Sequence, residues 1–289
     1  MPSTKDFDRK LHRLKNTKKI TYTMKLVAMS KLYRAHEAQK KAKAYSERLT
    51  DLISRLAASV ETATHPLLTP RDPVKNALIL IMTSDKGLCG SFNNTLIKGA
   101  FAWMRDNQAK YQKIEMSFCG KRGFMFFRKQ AGVKKNYEGS TASPNFATAT
   151  KIGEDIIKDF LKEEYDEVYL TYNHFLSPLS QSPIFEKILP IGPKAVIRQT
   201  KGFSADYLFE PPEPELLEFL VPKYLFFRIY FALLENSAGE HGARMTAMDN
   251  ASKNAKDLIE RYTLLRNRVR QANITKELIE IVSGAEALN

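Results

Sequence analysis

The sequence has few of the residues from which metal centres, disulfide frameworks and membrane spans are built. Its 289 residues include two cysteines, five histidines and one tryptophan. Cys89 and Cys119 are too few for a disulfide framework, and no Cys or His spacing is typical of a zinc site. No apolar run approaches the roughly 18–20 residues of a membrane-spanning helix. The N-terminus also lacks the apolar segment of a secretory signal. We therefore expect no metal site and no cofactor.

Glycine and proline are absent from long segments at both ends of the chain. Neither occurs in residues 3–65 or in residues 243–283. A helix over Lys5–Ser59 would be about 80 Å long at 1.5 Å per residue, which exceeds an ordinary globular helix and indicates a coiled coil.

Small and apolar residues recur at seven-residue intervals in both segments, as a coiled coil requires. In the first segment the predicted seam consists of Leu14, Thr21, Ala28, Ala35, Ala42, Leu49 and Leu56, with the partner series Thr17, Met24, Lys31, Ala38, Tyr45 and Leu52. We predict that two arms, residues 1–65 and 212–289, pair as an antiparallel two-helix coiled coil. Alanines in the seam would let the helices approach closely and form a thin rod.

Acidic residues are scarce at the N-terminal end. Residues 1–60 hold 15 Lys and Arg but only 5 Asp and Glu, and they carry most of the chain's net charge of +13. Such a segment usually faces phosphate, an anionic membrane or an acidic protein. A basic coiled-coil protein that binds nucleic acid is therefore an alternative. The few aromatic residues in this arm are not interleaved for base stacking, which favours a protein surface.

The central part of the chain has a different pattern. Short apolar runs at 76–85, 114–120, 166–173, 185–191 and 205–210 predict strands, and helical segments separate the first three. Strands that alternate with helices predict an open α/β sheet of the Rossmann-like kind. We therefore expect an α/β domain, residues 74–211, inserted between the two arms of the coiled coil.

The segment TSDKGLCGSFNNT (83–95) is the best candidate for chemistry, because a predicted strand, a glycine-containing loop and a helix follow one another. Such a loop can bind phosphate at a helix N-terminus. Gly87 and Gly90 match neither the dinucleotide fingerprint nor the P-loop, so a turn that packs the helix onto the sheet is the simpler interpretation. No Ser, Cys or His grouping predicts a nucleophile. We expect no catalytic residues, although a small-molecule enzyme remains a further alternative.

Three segments resemble one known family in the same order along the chain. LKNTKKITYTMKLVAMSKL (14–32) resembles the N-terminal helix of the gamma subunit of F-type ATP synthases, SDKGLCG (84–90) is similar to its central domain, and residues 242–285 resemble its C-terminal signature. The resemblance covers essentially the whole chain, and the C-terminal segment is highly specific.

The resemblance implies a mechanical function. In this family the antiparallel coiled coil stands in the central hole of a hexamer of alternating alpha and beta subunits, its foot rests on the ring of c subunits, and a small epsilon subunit also binds. Proton or sodium flow would turn the ring and this shaft, and the shaft would drive the beta subunits through ATP synthesis or, in reverse, hydrolysis. The shaft itself would catalyse nothing. The central domain has no insertion with a close Cys pair, and no transit peptide is evident. Both features favour a bacterial form, peripheral on the cytoplasmic face of the plasma membrane.

The resemblance also implies two groups of contact residues. Met24 and Lys25 match the position that faces an acidic lever loop of beta, and Arg270 and Gln271 match a polar pair that contacts a second beta loop. Tyr207 and Glu210 match the foot segment near the c-ring.

Overall fold

The computed structural model describes residues 4–59, 65–191 and 212–286. These residues form five helices and five strands: α1 (Thr4–Ser59), β1 (Asn76–Met82), α2 (Phe92–Asn107), β2 (Lys113–Cys119), α3 (Lys121–Phe127), β3 (Val133–Tyr137), α4 (Phe146–Leu161), β4 (Glu167–Ser177), β5 (Ser180–Leu189) and α5 (Glu213–Glu286). The chain divides into two compact units. Residues 1–28 and 245–289 form the paired-helix unit, and residues 29–244 form the sheet unit. No helix in the described ranges is long and apolar enough to cross a membrane.

The sheet unit contains the predicted α/β sheet. Its strand order is β3-β2-β1-β4-β5. The first four strands are parallel neighbours, and β5 returns antiparallel to β4. The sequence analysis missed β3, because its residues VKKNY lie at the sheet edge and show no clear alternation of apolar and polar residues. The strand predicted at 205–210 lies outside the described residues.

Both faces of the sheet are covered, which explains why β1 is an almost continuous apolar run. Leu78 and Leu80 pack into a core shared with α4 and α5. Ile79 and Ile81 point to the other face and pack against α2 and α3. On the first face α5 approaches α4 so closely at Gly153 that an added methyl group there would overlap Phe226.

The C-terminal half of α1 belongs to this core rather than to a narrow seam. Its buried residues Ala42, Leu49 and Ile53 pack against the sheet unit. The predicted seam positions Tyr45 and Leu52 are instead 55% and 41% exposed. The seven-residue prediction was therefore right for Ala42 and Leu49 but wrong for Tyr45 and Leu52, because here α1 packs on the core of the sheet unit and buries Ile53 instead.

The paired-helix unit confirms the antiparallel arrangement. Arg266 Nη1 lies 3.2 Å from Asp8 Oδ1, and Lys25 Nζ lies 2.7 Å from Asp249 Oδ1. Seventeen residues separate the two partners on α1, and the same number separates those on α5 in the opposite direction. These pairs fix the register of the two helices, which the sequence alone did not give.

Small residues are buried in the interface of this unit, alongside the larger Phe7, Leu11 and Met248. Thr21 and Ala28 of α1 are buried, as are Ser252 and Ala255 of α5. Side chains of this size keep two helices close together, as the sequence predicted for a thin rod.

A buried carboxylate ties the start of β4 to its surroundings. Glu167 accepts hydrogen bonds from the hydroxyl groups of Tyr111 and Tyr169 and from the ammonium group of Lys110, and it also pairs with Lys187. Burial alone would raise the pKa of Glu167, but these partners outweigh burial and lower it to about 2.

This lowered pKa predicts how stability depends on pH. The ionised form of Glu167 is favoured in the folded state, so its contribution is complete above a pH of about 4.5 and is lost as pH falls toward 2. A shift of this size corresponds to roughly 3 kcal/mol. We expect Glu167→Gln to lower the free energy of unfolding by about 2–3 kcal/mol at pH 7 and by little at pH 2, measured by urea denaturation. The exposed Glu164→Gln is the control and should have a smaller effect. A Glu167 effect independent of pH would contradict the assignment.

Candidate functional site

The residues predicted to contact partners lie on the paired-helix unit. Met24 is partly exposed, and the Lys25 side chain retains about a third of its accessible surface. Lys25 is engaged within the chain, because its ammonium group pairs with Asp249, which also binds Lys253 at 2.9 Å. The hydrogen bonds from these two lysines lower the pKa of Asp249. Sequence reasoning missed this pair, since 224 residues separate Lys25 from Asp249.

Large apolar side chains are exposed on α1 around Met24. Ile20, Tyr22, Leu26 and Val27 are between 47% and 59% exposed. At 3.6 residues per turn, Ile20 and Val27 lie on one flank of α1, and Tyr22 and Leu26 lie on the other. Single exposed apolar residues are ordinary, but two such pairs within eight positions indicate a partner.

Arg270 and Gln271 lie on a second surface, where α5 continues beyond its pairing with α1. The register places Thr4, the first described residue of α1, opposite about residue 270. Every residue from 271 to 284 is exposed, including five large apolar side chains between 48% and 68% exposed: Ile274, Leu278, Ile279, Ile281 and Val282. These side chains lie on one side of the helix, and an exposed apolar side of this kind indicates a partner.

The two predicted beta-contact positions are not brought together. Met24 lies opposite about residue 250, so some 20 residues of α5 separate it from Arg270, or about 30 Å along the helix. Tyr207 and Glu210 lie outside the described residues. The described residues thus include two of the three predicted contact positions, and these two lie at different points along the paired-helix unit.

Positive charge in the paired-helix unit is concentrated on α1. Residues 1–28 hold eight basic and two acidic residues, whereas residues 245–289 hold seven and six. Several of the basic groups line an open groove of about 510 Å³ on α1, formed by Asp6, Arg9, Lys10, Arg13, Leu14 and Thr17. This surface is suited to acidic groups.

The glycine-containing loop after β1 is occupied by contacts from its own chain. Arg244 of α5 donates hydrogen bonds to the carbonyl oxygens of Lys86 and Gly87 at 3.3 and 3.1 Å. It also pairs with the buried Glu240 at 2.6 Å. Burial raises the pKa of Glu240, and the charge of Arg244 opposes that rise. Within the sheet unit these contacts support the structural interpretation of the loop, which docks against α5.

Comparisons with known proteins match this chain over its full length. The family model described as ATP synthase matches residues 3–288. The ATP synthase gamma chains of Trichlorobacter lovleyi and Pelotomaculum thermopropionicum are 40% and 43% identical, over 100% of this chain and 99% and 100% of theirs. The chain belongs to the ATP synthase gamma chain family. This membership gives no support to the nucleic-acid alternative.

Solved structures of the ATP synthase family share the fold. A central-stalk chain of the Tetrahymena thermophila mitochondrial enzyme has a TM-score of 0.62 and 25% identity, covering 81% of this chain and 99% of that one. A chain from the Euglena gracilis mitochondrial enzyme has a TM-score of 0.65 and 18% identity, covering 99% and 94%. The long terminal helices and the mixed five-stranded sheet are therefore those of ATP synthase central-stalk chains.

The register of the paired helices can be tested by disulfide formation. The ion pairs place Thr21 beside Ser252 in the interface. We expect Thr21→Cys with Ser252→Cys to cross-link readily on mild oxidation of the purified chain. Ala28→Cys with Ala255→Cys is the control, because these positions are offset by about 14 Å along the helices. Non-reducing electrophoresis with peptide mapping distinguishes the pairs. Efficient linkage of the control pair alone would contradict the register.

Proposed function

We propose that this chain is the central rotor shaft of an F-type ATP synthase. It couples rotation of the c-ring, driven by proton or sodium flow, to conformational cycling of the catalytic beta subunits. The observation that carries the proposal is the helix end at residues 271–284, where five large apolar side chains are exposed on one side of a single helix. A sleeve of alpha and beta subunits would cover such an end and would meet its apolar side in turn as the shaft rotates.

Each partner is assigned to its own part of the shaft. Met24 and Lys25 face the acidic lever loop of beta, and Arg270 and Gln271 meet a second beta loop. Tyr207 and Glu210 belong to the foot at the c-ring, where epsilon also binds. The protein is then peripheral on the cytoplasmic face of a bacterial membrane and has no catalytic residues of its own.

Coupling requires that the shaft contact each beta subunit differently as it turns. A rotor can shift a conformational equilibrium only through a difference in contact free energy between states. The paired helices provide this difference, because basic α1 and the more balanced α5 present different charges on opposite sides of the unit. A contact change of about 1.4 kcal/mol alters a rate or an equilibrium tenfold.

Substitution of Met24 tests the contact with the acidic lever. In Met24→Glu a carboxylate would face the carboxylates of beta, and a repulsion of about 1.4 kcal/mol would weaken this contact roughly tenfold, so that beta completes more hydrolysis cycles without turning the shaft. We expect ion pumping to fall by more than ATP hydrolysis, measured on the same membranes and normalised to assembled complex. Met24→Leu keeps an apolar side chain and should preserve the pumping-to-hydrolysis ratio. An unchanged ratio in Met24→Glu would contradict the contact.

Photo-crosslinking tests the two ends of the shaft in the assembled complex. A benzophenone amino acid at Gln271 should capture beta, and the same group at Tyr207 should capture the c subunit. Each position serves as the control for the other. Capture of the c subunit from Gln271, or of beta from Tyr207, would reverse the proposed orientation.

A further inference from the structure

A groove on the outer side of the sheet unit is not used by the rotor assignment. It lies between α2 and α3 and continues to the loop after β1. Two adjoining cavities of about 380 and 410 Å³ form it, and they share Asn94, Ile97 and Phe126 in their walls.

The floor of this groove is apolar and accessible. Leu88, Phe101, Met125 and Phe126 are between 46% and 64% exposed, although the same helices bury other apolar residues in the core. The lining residues of α2 extend from Asn94 to Arg105, which is about 17 Å at 1.5 Å per residue. That length matches about three turns of a docked helix.

The rim of the groove is basic. Its lining in the described part of the chain includes Lys98, Arg105 and Arg122 and no acidic side chain. Arg105 also pairs with the neighbouring Asp106 at 3.1 Å, but both side chains are well exposed, and such pairs contribute little. A ligand with carboxylates beside an apolar stripe would therefore complement both the floor and the rim.

One end of the groove is held in a fixed shape. Leu88 adopts a φ of 63°, in the left-handed region that leucine rarely occupies. The loop around it is fixed by Arg244 and by Asn93, whose side-chain oxygen accepts a hydrogen bond from the backbone N–H of Ser84. Such conformations persist where the surroundings hold them and are frequent at binding sites.

We propose that the groove between α2 and α3 binds an amphipathic helix of a partner protein whose polar face carries carboxylates. An apolar stripe on that helix would lie on Phe101 and Phe126, and its acidic residues would meet Lys98 and Arg105. A second copy of this chain fits less well, because the pairing of two such grooves would bring two basic rims together. The proposal is independent of the rotor function.

Designed peptides test this proposal on the purified full chain. The first peptide is a fluorescent, stapled helix of about 15 residues with leucines on one face and glutamates on the other. The second is the same helix with lysines in place of the glutamates. We expect the glutamate peptide to bind at least tenfold more tightly by fluorescence anisotropy, and its affinity to fall with added salt.

Substitutions locate the binding site. Phe101→Ser with Phe126→Ser should weaken binding of the glutamate peptide about tenfold or more. The control Leu161→Ser changes an apolar residue of α4 that is 50% exposed, and it should have no effect. Lys98→Glu with Arg105→Glu should also weaken binding, whereas Lys151→Glu on α4 should not. Circular dichroism checks that each variant is folded.

Four results would overturn the proposal. The first is equal affinity for the glutamate and lysine peptides, and the second is no binding of the glutamate peptide. The third is binding that survives the groove substitutions, which would place the peptide on the basic arm. The fourth concerns the variant that carries both Phe101→Ser and Phe126→Ser. If this variant keeps peptide binding but loses self-association or binding to anionic vesicles, the groove has a different occupant.

Discussion

The antiparallel pairing of the two ends of the chain is the constraint on which the proposed mechanism depends. Lys25 binds Asp249, Asp8 binds Arg266, and small residues such as Ala28 fill the interface between them. A narrow unit results, and its outer surface combines basic side chains with exposed apolar ones. A rotor that turns inside a ring of subunits needs these properties, because it must be slender and its contacts must be exchangeable.

The sheet unit is stabilised differently, by a core on each face of its sheet. Its parallel strands are covered on both faces, and α5 adds polar contacts through Arg244, Glu240 and the buried Glu235, which accepts a hydrogen bond from Gln39 of α1. Apolar burial supplies most of the stability of such a unit, while buried polar pairs favour one arrangement over others. The loop after β1, which contains glycines but matches no phosphate-binding motif, docks here against Arg244 of α5.

The sequence predicted the long helices, the antiparallel arrangement and the alternating strands, because these depend on local composition and periodicity. It missed β3, whose polar residues give no strand pattern, and it wrongly assigned Tyr45 and Leu52 to a coiled-coil seam, where α1 packs on a core with other residues. The Lys25–Asp249 pair was also missed, since periodicity does not reveal which charged residues meet across a distant pair of helices. Family resemblance supplied the contact residues, and the geometry added the exposed apolar surfaces around them.

Rotation of this chain can be observed in the assembled complex. Both native cysteines are buried and burial raises the pKa of their thiols, so a probe can be attached selectively to Lys151→Cys on α4. With beta immobilised and ATP supplied, the account predicts that a bead on this cysteine turns in one direction, with pauses that follow the threefold arrangement of the beta subunits. Steady ATP hydrolysis while the bead only fluctuates about one orientation would contradict it.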